Sequence, residues 1–393
     1  MTNTTTSKSI ASSSSAIANN VDLLTEILIR VSPKSLLRFK SVSKNWLNLI
    51  SNSNFAFNHA LRNRNSSISG LYFTSLDSCS AKEQVKSVSL QGHQNLPTLA
   101  FLDHGAGSEF PIRIQSSCNG LLLCDCVQIV WDCNRTVVDR ITMSYIICNP
   151  TTQKYKLLPQ PCGCVSGSYG CLAFDPSKSP HYKVLLVFNS TNKFEIYSSE
   201  SSSWKQIDFS KAESFSGGVY WNGAIHWLTE EENVHTRFDF DTEKLIEIPI
   251  APKPKILSLD KIRYCEGCCG RLLLIQMPLF CSMEFEILEM DRDYRGWIVN
   301  CNVDLASLIN ELPGIVQRTD CYAFHVASVV KGENGDDFEL VLVFQEPRKV
   351  VCYNVKCKTM KVVIDSVTAD FDKFICDHGP YGPFRFIESL SSL

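Results

Sequence analysis

Cysteine is the residue type in this sequence that could take part in the most kinds of chemistry, because thiolates ligate zinc and act as nucleophiles. The 393 residues include 18 cysteines. Two groups have spacings that suit metal ligands, namely Cys265-x-x-Cys268-Cys269 and Cys162-x-Cys164 with Cys171. A zinc site needs a second pair at a regular distance along the chain, and neither group has one. We therefore predict that no metal and no cofactor is bound, and that the cysteines are small buried side chains.

Histidine and carboxylate residues offer acid–base chemistry, but their contexts favour structural roles. His226 lies in a predicted apolar strand, and the acidic runs Glu230–Glu232 and Asp336–Asp337 lie in predicted turns. The sequence contains no nucleophile elbow, zinc-protease motif, P-loop or dinucleotide fingerprint. We predict no catalytic residue, and an active site built on Cys118 and His226 is the alternative.

The composition excludes several classes of protein. Apolar residues make up 44% and charged residues 20% of the sequence, as in ordinary globular proteins, and the net charge is only −3. This charge gives no general attraction to nucleic acid, and no apolar run is long enough to span a bilayer. Residues 1–20 are rich in Ser, Thr and Asn and lack the apolar core of a signal peptide. We interpret them as a disordered tail, and expect reduced thiols and neither nucleic acid nor membrane as a partner.

Residues 21–64 contain four short helical patterns, which we call the helical module. The first pattern has apolar residues at helical spacing, and these are Val21, Leu24, Leu28 and Val31. The later helices are expected to begin at start signals formed by Ser32-Pro33, by Ser41 or Ser43, and by Ser53. Serine caps a helix and proline suits its first turn, so these residues predict where each helix starts.

The apolar stripe of the helical module exceeds what about forty residues can bury among themselves. From the pattern alone, the surplus side chains face either the rest of the same chain or the groove of a partner protein. Basic residues such as Lys34, Arg38 and Lys44 alternate with the apolar ones. That alternation indicates a solvated helix face rather than a surface for nucleic acid.

From Gly70 onward, short apolar runs recur between Gly, Pro, Asn and Asp, which is typical of strands and turns. A strand–polar turn–strand unit occurs five times at intervals of about 40 to 65 residues, close to the length of a propeller blade. Asn119-Gly120 and Asn222-Gly223 predict tight hairpins, because both turn residues need positive φ. We predict a β-propeller of about six blades, with a degenerate blade in Gly70–Leu102 and ring closure by Pro380–Ile387. An irregular sandwich is the alternative.

The segment Asp22–Leu61 resembles an F-box. The matching strings are Asp22-Leu-Leu-Thr-Glu-Ile-Leu28, Lys34-Ser-Leu-Leu-Arg-Phe-Lys-Ser-Val-Ser-Lys44, Trp46 and Leu49-Ile50. The remainder resembles the F-box-associated domain of the large plant F-box family, in the phrases Ser117-Cys-Asn-Gly-Leu121, Cys148-Asn-Pro150, Val219–Leu228 and Ile387-Glu-Ser-Leu390. One departure is that Asn19-Asn20 stand where the family usually has Leu-Pro. This departure predicts weaker docking than is typical of the family.

The resemblance implies an α+β multidomain protein with a tail (1–20), an F-box (21–64) and a propeller-like substrate-recognition domain (65–393). It implies a non-catalytic, substrate-recruiting subunit of an SCF-type cullin–RING ubiquitin ligase. The F-box would bind a Skp-type adaptor, and through it cullin and RING proteins, while the propeller would bind an unknown protein target. The alternative is an adaptor-binding protein without ligase output, such as a decoy.

The resemblance also implies which residues contact the adaptor. These are Leu23, Leu24, Ile27, Leu28, Val31, Pro33, Leu36, Leu37, Val42 and Trp46. For the target, the sequence offers three loops without choosing among them, namely Cys162–Tyr169, Glu230–Val234 and Gly332–Asp337. A chain of this kind is expected in the cytoplasm, the nucleus or both.

Overall fold

The computed structural model describes most of the chain. The described residues are 20–63, 68–76, 83–91, 95–103, 112–131, 138–163, 168–188, 193–209, 215, 217–229, 234–248, 262–267, 270–276, 283–312, 324–331, 337–344, 349–365 and 383–393. Helices occupy the start of this part and strands nearly all of the rest, so the predicted order of a helical module followed by a mainly-β domain is confirmed. The predicted tail lies outside the described residues except for Asn20.

Four helices form the helical module. Their bounds are α1 Val21–Leu28, α2 Pro33–Phe39, α3 Lys44–Ile50 and α4 Ser53–Arg62. The predicted caps Ser32 and Ser43 are confirmed, because each side-chain oxygen accepts a hydrogen bond from a backbone N–H of the following turn. Ser53 is the first residue of α4 and Asn52 is its cap, since the Asn52 side chain accepts from Asn54 N at 2.8 Å. No helix in the described ranges is long and apolar enough to cross a membrane.

Six antiparallel sheets follow in the described residues. Sheet I contains β1 Gly70–Leu76, β2 Glu83–Ser89 and the distant β23 Phe384–Phe386. Sheet II contains β3 Arg113–Cys118, β4 Leu121–Trp131, β5 Val138–Asn149 and β6 Lys154–Leu157. Sheet III contains β7 Tyr169–Ala173, β8 Lys183–Phe188, β9 Lys193–Ser198 and β10 Ser203–Asp208.

The later sheets have the same four-stranded order. Sheet IV contains β11 Val219–Trp221, β12 Ala224–Thr229, β13 Val234–Asp239 and β14 Lys244–Ile248. Sheet V contains β15 Ile262–Gly267, β16 Arg271–Gln276, β17 Glu284–Met290 and β18 Trp297–Asp304. Sheet VI contains β19 Phe324–Lys331, β20 Phe338–Phe344, β21 Lys349–Asn354 and β22 Thr359–Asp365. Two short helices, α5 Ala100–Asp103 and α6 Leu308–Glu311, connect sheets.

The six sheets are the blades of a β-propeller. The first strands of sheets II to VI contact one another in chain order, and β23 contacts β3. Each sheet is a meander of neighbouring strands, so its first strand lies innermost and its last strand at the rim. The prediction of about six blades is therefore confirmed.

Sheet I joins the two ends of the propeller sequence. β23 pairs with β1 in antiparallel register, with Gly70 opposite Phe386 and Tyr72 opposite Phe384. The Tyr72 and Phe386 rings meet edge to face, 5.5 Å apart between centroids. Ring closure was predicted for Pro380–Ile387, and it is confirmed for the described part of that segment.

The Asn-Gly turns have the geometry that the sequence predicts. φ is 45° at Asn119, 88° at Gly120, 49° at Asn222 and 81° at Gly223, so both residues of each turn are left-handed. In an antiparallel meander, turns after the first and third strands lie at one edge and turns after the second strand at the other. We call the edge with the Asn-Gly turns the near face, and the opposite edge the far face.

The helical module lies on the near face. The residues after β23, Ile387–Leu393, form what we call the closing segment, and they connect the ring to the module. The Glu388 carboxylate accepts a hydrogen bond from Lys34 N at 3.3 Å, and the Leu390 side chain packs against the core of the module. The far face therefore lies on the side of the ring away from the module.

Candidate partner-docking surface on the helical module

Helix α1 carries two apolar rows that point in different directions. Leu24 and Leu28, one turn apart, are 5% and 1% exposed, whereas Leu23 and Ile27 are 49% and 51% exposed. Residues four apart share one face of a helix, so each pair forms its own row. The inner row belongs to the core of the module, and of these two rows the outer one is available to a partner.

The core of the helical module is small. Its buried apolar members are Leu24, Leu28, Ile29, Leu36, Ile50 and Phe55. Half-buried residues from the module, together with Leu390 of the closing segment, pack against them. Some of the surplus leucines therefore fill a core that the closing segment helps to cover, and others face outward.

Large apolar side chains are exposed on the module, although such residues usually lie inside a protein. The most exposed are Val21, Leu23, Ile27, Val42 and Leu47, which we call the docking patch. Val21 is 62% exposed and Val42 is 59% exposed. Five exposed apolar side chains on so small a module make it a candidate for contact with another protein.

The structure divides the ten residues that the resemblance assigned to the adaptor surface. Leu23, Ile27 and Val42 are exposed, and Val31, Leu37 and Trp46 are half-buried. Leu24, Leu28, Pro33 and Leu36 are buried, because their side chains supply the core and the start of α2. Those four are not accessible to a partner in this structure, so they support the surface from beneath.

Two patch residues lie outside the predicted set. Val21 is the first residue of α1, and Leu47 lies in α3. Both belong to apolar helical patterns in the sequence, so periodicity finds them. Periodicity does not tell which apolar row of a short helix faces outward, because both rows consist of large aliphatic residues here.

The polar groups around α1 stabilise the helix that presents the patch. The Asn20 side chain accepts from Asp22 N and Leu23 N, both at 3.1 Å. Asp22 lies in the first turn, where a carboxylate suits the helix dipole. Asn20, which departs from the family pattern, is therefore an effective helix cap.

A polar cavity separates the module from the propeller. Its volume is about 560 Å³, and its walls include Arg30, Lys34 and Arg38 from the module and Ser69, Gln91 and Glu388 from the rest of the chain. His59 also borders it; burial lowers the pKa of that imidazole, and its Nε2 lies 2.9 Å from Val31 O. The wall is charged and hydrogen-bonded, unlike the apolar docking patch.

Several of the described cysteines are buried in the structure. Within the described ranges, no group of three His, Cys, Asp or Glu side chains is arranged to hold a metal ion. Cys124 and Cys171 are buried, and burial raises the pKa of the Cys171 thiol to about 12. The side chains of the Cys265–Cys269 group, and Cys164, lie outside what the structure describes.

The predicted structural role of His226 agrees with its surroundings. His226 is fully buried in β12, with Nε2 3.2 Å from Trp221 O and its ring stacked on Tyr294. His235 of β13 is also fully buried, 5.5 Å away between ring centroids. Burial, together with the charge of the nearby Arg237 guanidinium, lowers the pKa of His226 to about 3. Burial, the neighbouring His226 imidazole and Arg237 lower the pKa of His235 to about 2. Both imidazoles are therefore neutral at neutral pH.

The direction of the flanking strands places two of the three candidate target loops on the far face and one on the near face. Cys162–Tyr169 joins sheets II and III and Glu230–Val234 joins β12 to β13, so the described strand ends that border them lie on the far face. Gly332–Asp337 joins β19 to β20 and borders the near face. Residues 164–167, 230–233 and 332–336 lie outside the described part.

The loop between sheets II and III is anchored at both of its described ends. The Glu195 carboxylate, 1% exposed, accepts from Cys162 N at 2.8 Å and from Gly163 N at 2.6 Å. At the other end, the hydroxyl groups of Tyr145 and Ser168 are hydrogen-bonded. A buried carboxylate that accepts two backbone N–H groups holds this loop base in a defined position.

Comparison with known proteins agrees with this architecture. Residues 20–58 match the F-box domain, and residues 72–263 match the F-box associated beta propeller domain. F-box protein At5g07610 of Arabidopsis thaliana is 32% identical over 98% of this chain and 94% of its own length. F-box protein At5g49610 of the same plant is 26% identical over 77% of this chain and 84% of its own length.

The chain is therefore an F-box protein, with an F-box followed by a β-propeller. Within that class it belongs to the F-box associated propeller family of plants, with Arabidopsis F-box proteins as relatives. This architecture is consistent with a substrate receptor of an SCF ligase in general. The F-box implies a Skp-type adaptor as its partner.

Proposed function

We propose that this protein is the substrate-recruiting subunit of an SCF-type cullin–RING ubiquitin ligase. The docking patch binds a Skp-type adaptor, and through it a cullin and a RING protein. The observation that carries the proposal is the outer row of α1: Leu23 and Ile27 are exposed on a module whose inner row already fills its core. The family membership of both domains supports it.

The propeller contributes recognition rather than chemistry in this proposal. A target held on the ring brings its lysines close to a charged conjugating enzyme, which raises the effective concentration without a catalytic residue on this chain. We place the target on the far face, because the module and the closing segment occupy part of the near face. The anchored base of Cys162–Tyr169 makes this loop the preferred contact. The proposed site of action is the cytoplasm or nucleus.

Adaptor capture by the purified full chain tests the docking patch. We expect Leu23→Asp and Ile27→Asp to abolish capture and to leave the melting temperature nearly unchanged, since both side chains are exposed. Ile298→Asp is the matched control, because Ile298 is an apolar residue on β18 that is at least as exposed as Leu23 and Ile27. Capture that survives the α1 changes would show that the adaptor binds elsewhere.

Ligase output needs a separate measurement. We expect the adaptor-bound protein to co-purify with cullin and to support ubiquitin transfer to proteins captured by the propeller. An adaptor complex that excludes cullin, or includes it without transferring ubiquitin, would favour the decoy alternative. Proximity labelling by the full chain, compared with the Ile27→Asp variant, would identify targets that depend on the propeller alone.

A further inference from the structure

The closing segment contacts three separate apolar cores. Ile387 packs against the cluster that joins sheets I and VI, Leu390 against the core of the helical module, and Leu393 against the cluster that joins sheets II and III. These side chains are three residues apart in sequence and have different neighbours. The segment therefore links the ring closure to the F-box.

Polar contacts hold the same segment along its length. Nδ2 of Asn149 donates to Ser389 O at 3.1 Å and to Ser391 O at 2.9 Å. Ser389 N donates to the Thr151 hydroxyl at 3.1 Å. Together with the Glu388 contact to Lys34 N, these bonds fix the backbone on both sides of Leu390.

The turn at Gly120 is shaped to admit the closing segment. A Cβ added at Gly120 would lie 2.8 Å from Ile387 O and still closer to the Ser389 side chain. Gly120 and Asn149 belong to the two motif phrases of sheet II noted in the sequence, Ser117–Leu121 and Cys148–Pro150. Each motif thus supplies a residue that contacts the closing segment where it crosses the near face.

The position of Leu390 depends on the ring. The closing segment starts directly after Phe386, which pairs with Gly70 of β1. Leu390 therefore reaches the module only when β23 is in place. The module core has six buried apolar side chains, and a core so small depends on every group that covers it.

We propose that adaptor docking is conditional on a closed propeller, with Leu390 as the positioning residue that couples the two. The proposal rests on the proposed function for its adaptor, and on the contacts above for its coupling. When Leu390 is absent, the inner row of α1 loses part of its cover. The helix then opens locally more often, and the docking patch is presented by a smaller fraction of molecules.

Hydrogen exchange on the full chain tests the coupling without any adaptor. We expect Leu390→Ala to speed amide exchange several-fold in α1–α4 and to leave β12–β17 unchanged, since local opening is confined to the element that loses its contact. Leu390→Met is the rescue variant and should restore slow exchange. Leu393→Ala is the matched control, because this side chain packs on the propeller core and not on the module.

Adaptor capture by the same variants tests the consequence. We expect weaker capture for Leu390→Ala, weaker still when residues 387–393 are replaced by glycine and serine, and normal capture for Leu390→Met and Leu393→Ala. Unchanged exchange in α1–α4 after the 387–393 replacement would overturn the coupling. Faster exchange with normal capture would overturn the conditional docking. If the unaltered chain captures no adaptor, the proposed function fails, while the exchange result still decides the coupling.

Discussion

Asn149 and Ser389 are 240 positions apart in sequence and share a hydrogen bond of 3.1 Å from the amide Nδ2 of Asn149 to the backbone oxygen of Ser389. The other side of the Asn149 amide remains local, since Oδ1 accepts from Thr151 N at 3.0 Å. One buried side chain therefore shapes the β5–β6 turn and binds the closing segment. It connects sheet II to the residues that reach the F-box.

Replacing Asn149 tests this double role. We expect Asn149→Ala to destabilise the protein by about 1–3 kcal/mol, because the carbonyl groups of Ser389 and Ser391 lose a buried donor. Asn354→Ala is the matched control: Asn354 holds the β21–β22 turn by accepting from Cys357 N. Chemical denaturation measures both. An equal loss at the two positions would mean that the closing segment contributes nothing through Asn149.

Two glycines in similar turns should respond differently to the same substitution. Gly120→Ala adds a left-handed strain of about 1–2 kcal/mol and a clash with the closing segment. Gly223→Ala adds only the strain, because no described atom lies within 4 Å of its added Cβ. We expect the larger loss of melting temperature at Gly120. A larger loss at Gly223 would contradict the close passage of Ile387 and Ser389.

Substitutions at the neighbouring residues Ile27 and Leu28 of α1 should affect adaptor docking and protein stability differently. We expect Leu28→Ala to cost about 2–4 kcal/mol of unfolding free energy, because it leaves a cavity in the module core. Ile27→Ala should cost less than about 0.5 kcal/mol and weaken adaptor capture. Denaturation and capture assays on the two variants give the comparison. Equal destabilisation would show that the two rows of α1 are wrongly assigned.

Acid should destabilise the protein through the buried imidazoles of His226 and His235. Both are held neutral in the folded state, with pKa values of about 3 and about 2, whereas an unfolded histidine titrates near 6.5. The unfolded chain therefore binds more protons as the pH falls below about 6.5. Above that pH, the contribution of each neutral imidazole to the free energy of unfolding is fully present. Below it, the free energy of unfolding falls by about 1.4 kcal/mol per pH unit for each imidazole, down to about pH 3.

Substitutions of single histidines test whether His226 and His235 cause that pH dependence. His226→Gln and His235→Gln should each flatten the curve of unfolding free energy against pH between 6.5 and 3. His181→Gln is the matched control, because His181 is an exposed histidine. Denaturant titrations at a series of pH values provide the curves. A curve with the same slope in all three variants would place the acid sensitivity in other groups.

Sequence reasoning found the features that local chemistry determines. The caps at Ser32 and Ser43 and the left-handed turns at Asn119-Gly120 and Asn222-Gly223 follow from which backbone geometry each residue type favours. The blade number followed from the repeat length. The sequence placed the start of α4 at Ser53, whereas its cap is Asn52, one position earlier. Residue preference does not distinguish the two, because both serine and asparagine cap helices.

Long-range contacts explain what the sequence left open. Nothing in the pattern of Ile387–Leu393 says that Leu390 meets a helix core formed more than 300 residues earlier, because an irregular segment has no periodicity to read. The same limit applies to Leu23 and Leu24, adjacent and equally apolar, of which one faces outward and one inward. Their environments depend on the packing of all four helices.

Ring closure between β1 and β23 has a consequence for how the chain folds. The two strands are separated by nearly the whole propeller sequence, and contacts so distant form slowly because a long loop must close first. Until Phe384–Phe386 docks, the inner edge of β1 offers unpaired backbone groups to any other strand. During synthesis, β23 emerges after the other described strands, so this edge is a position at which two growing chains can exchange strands.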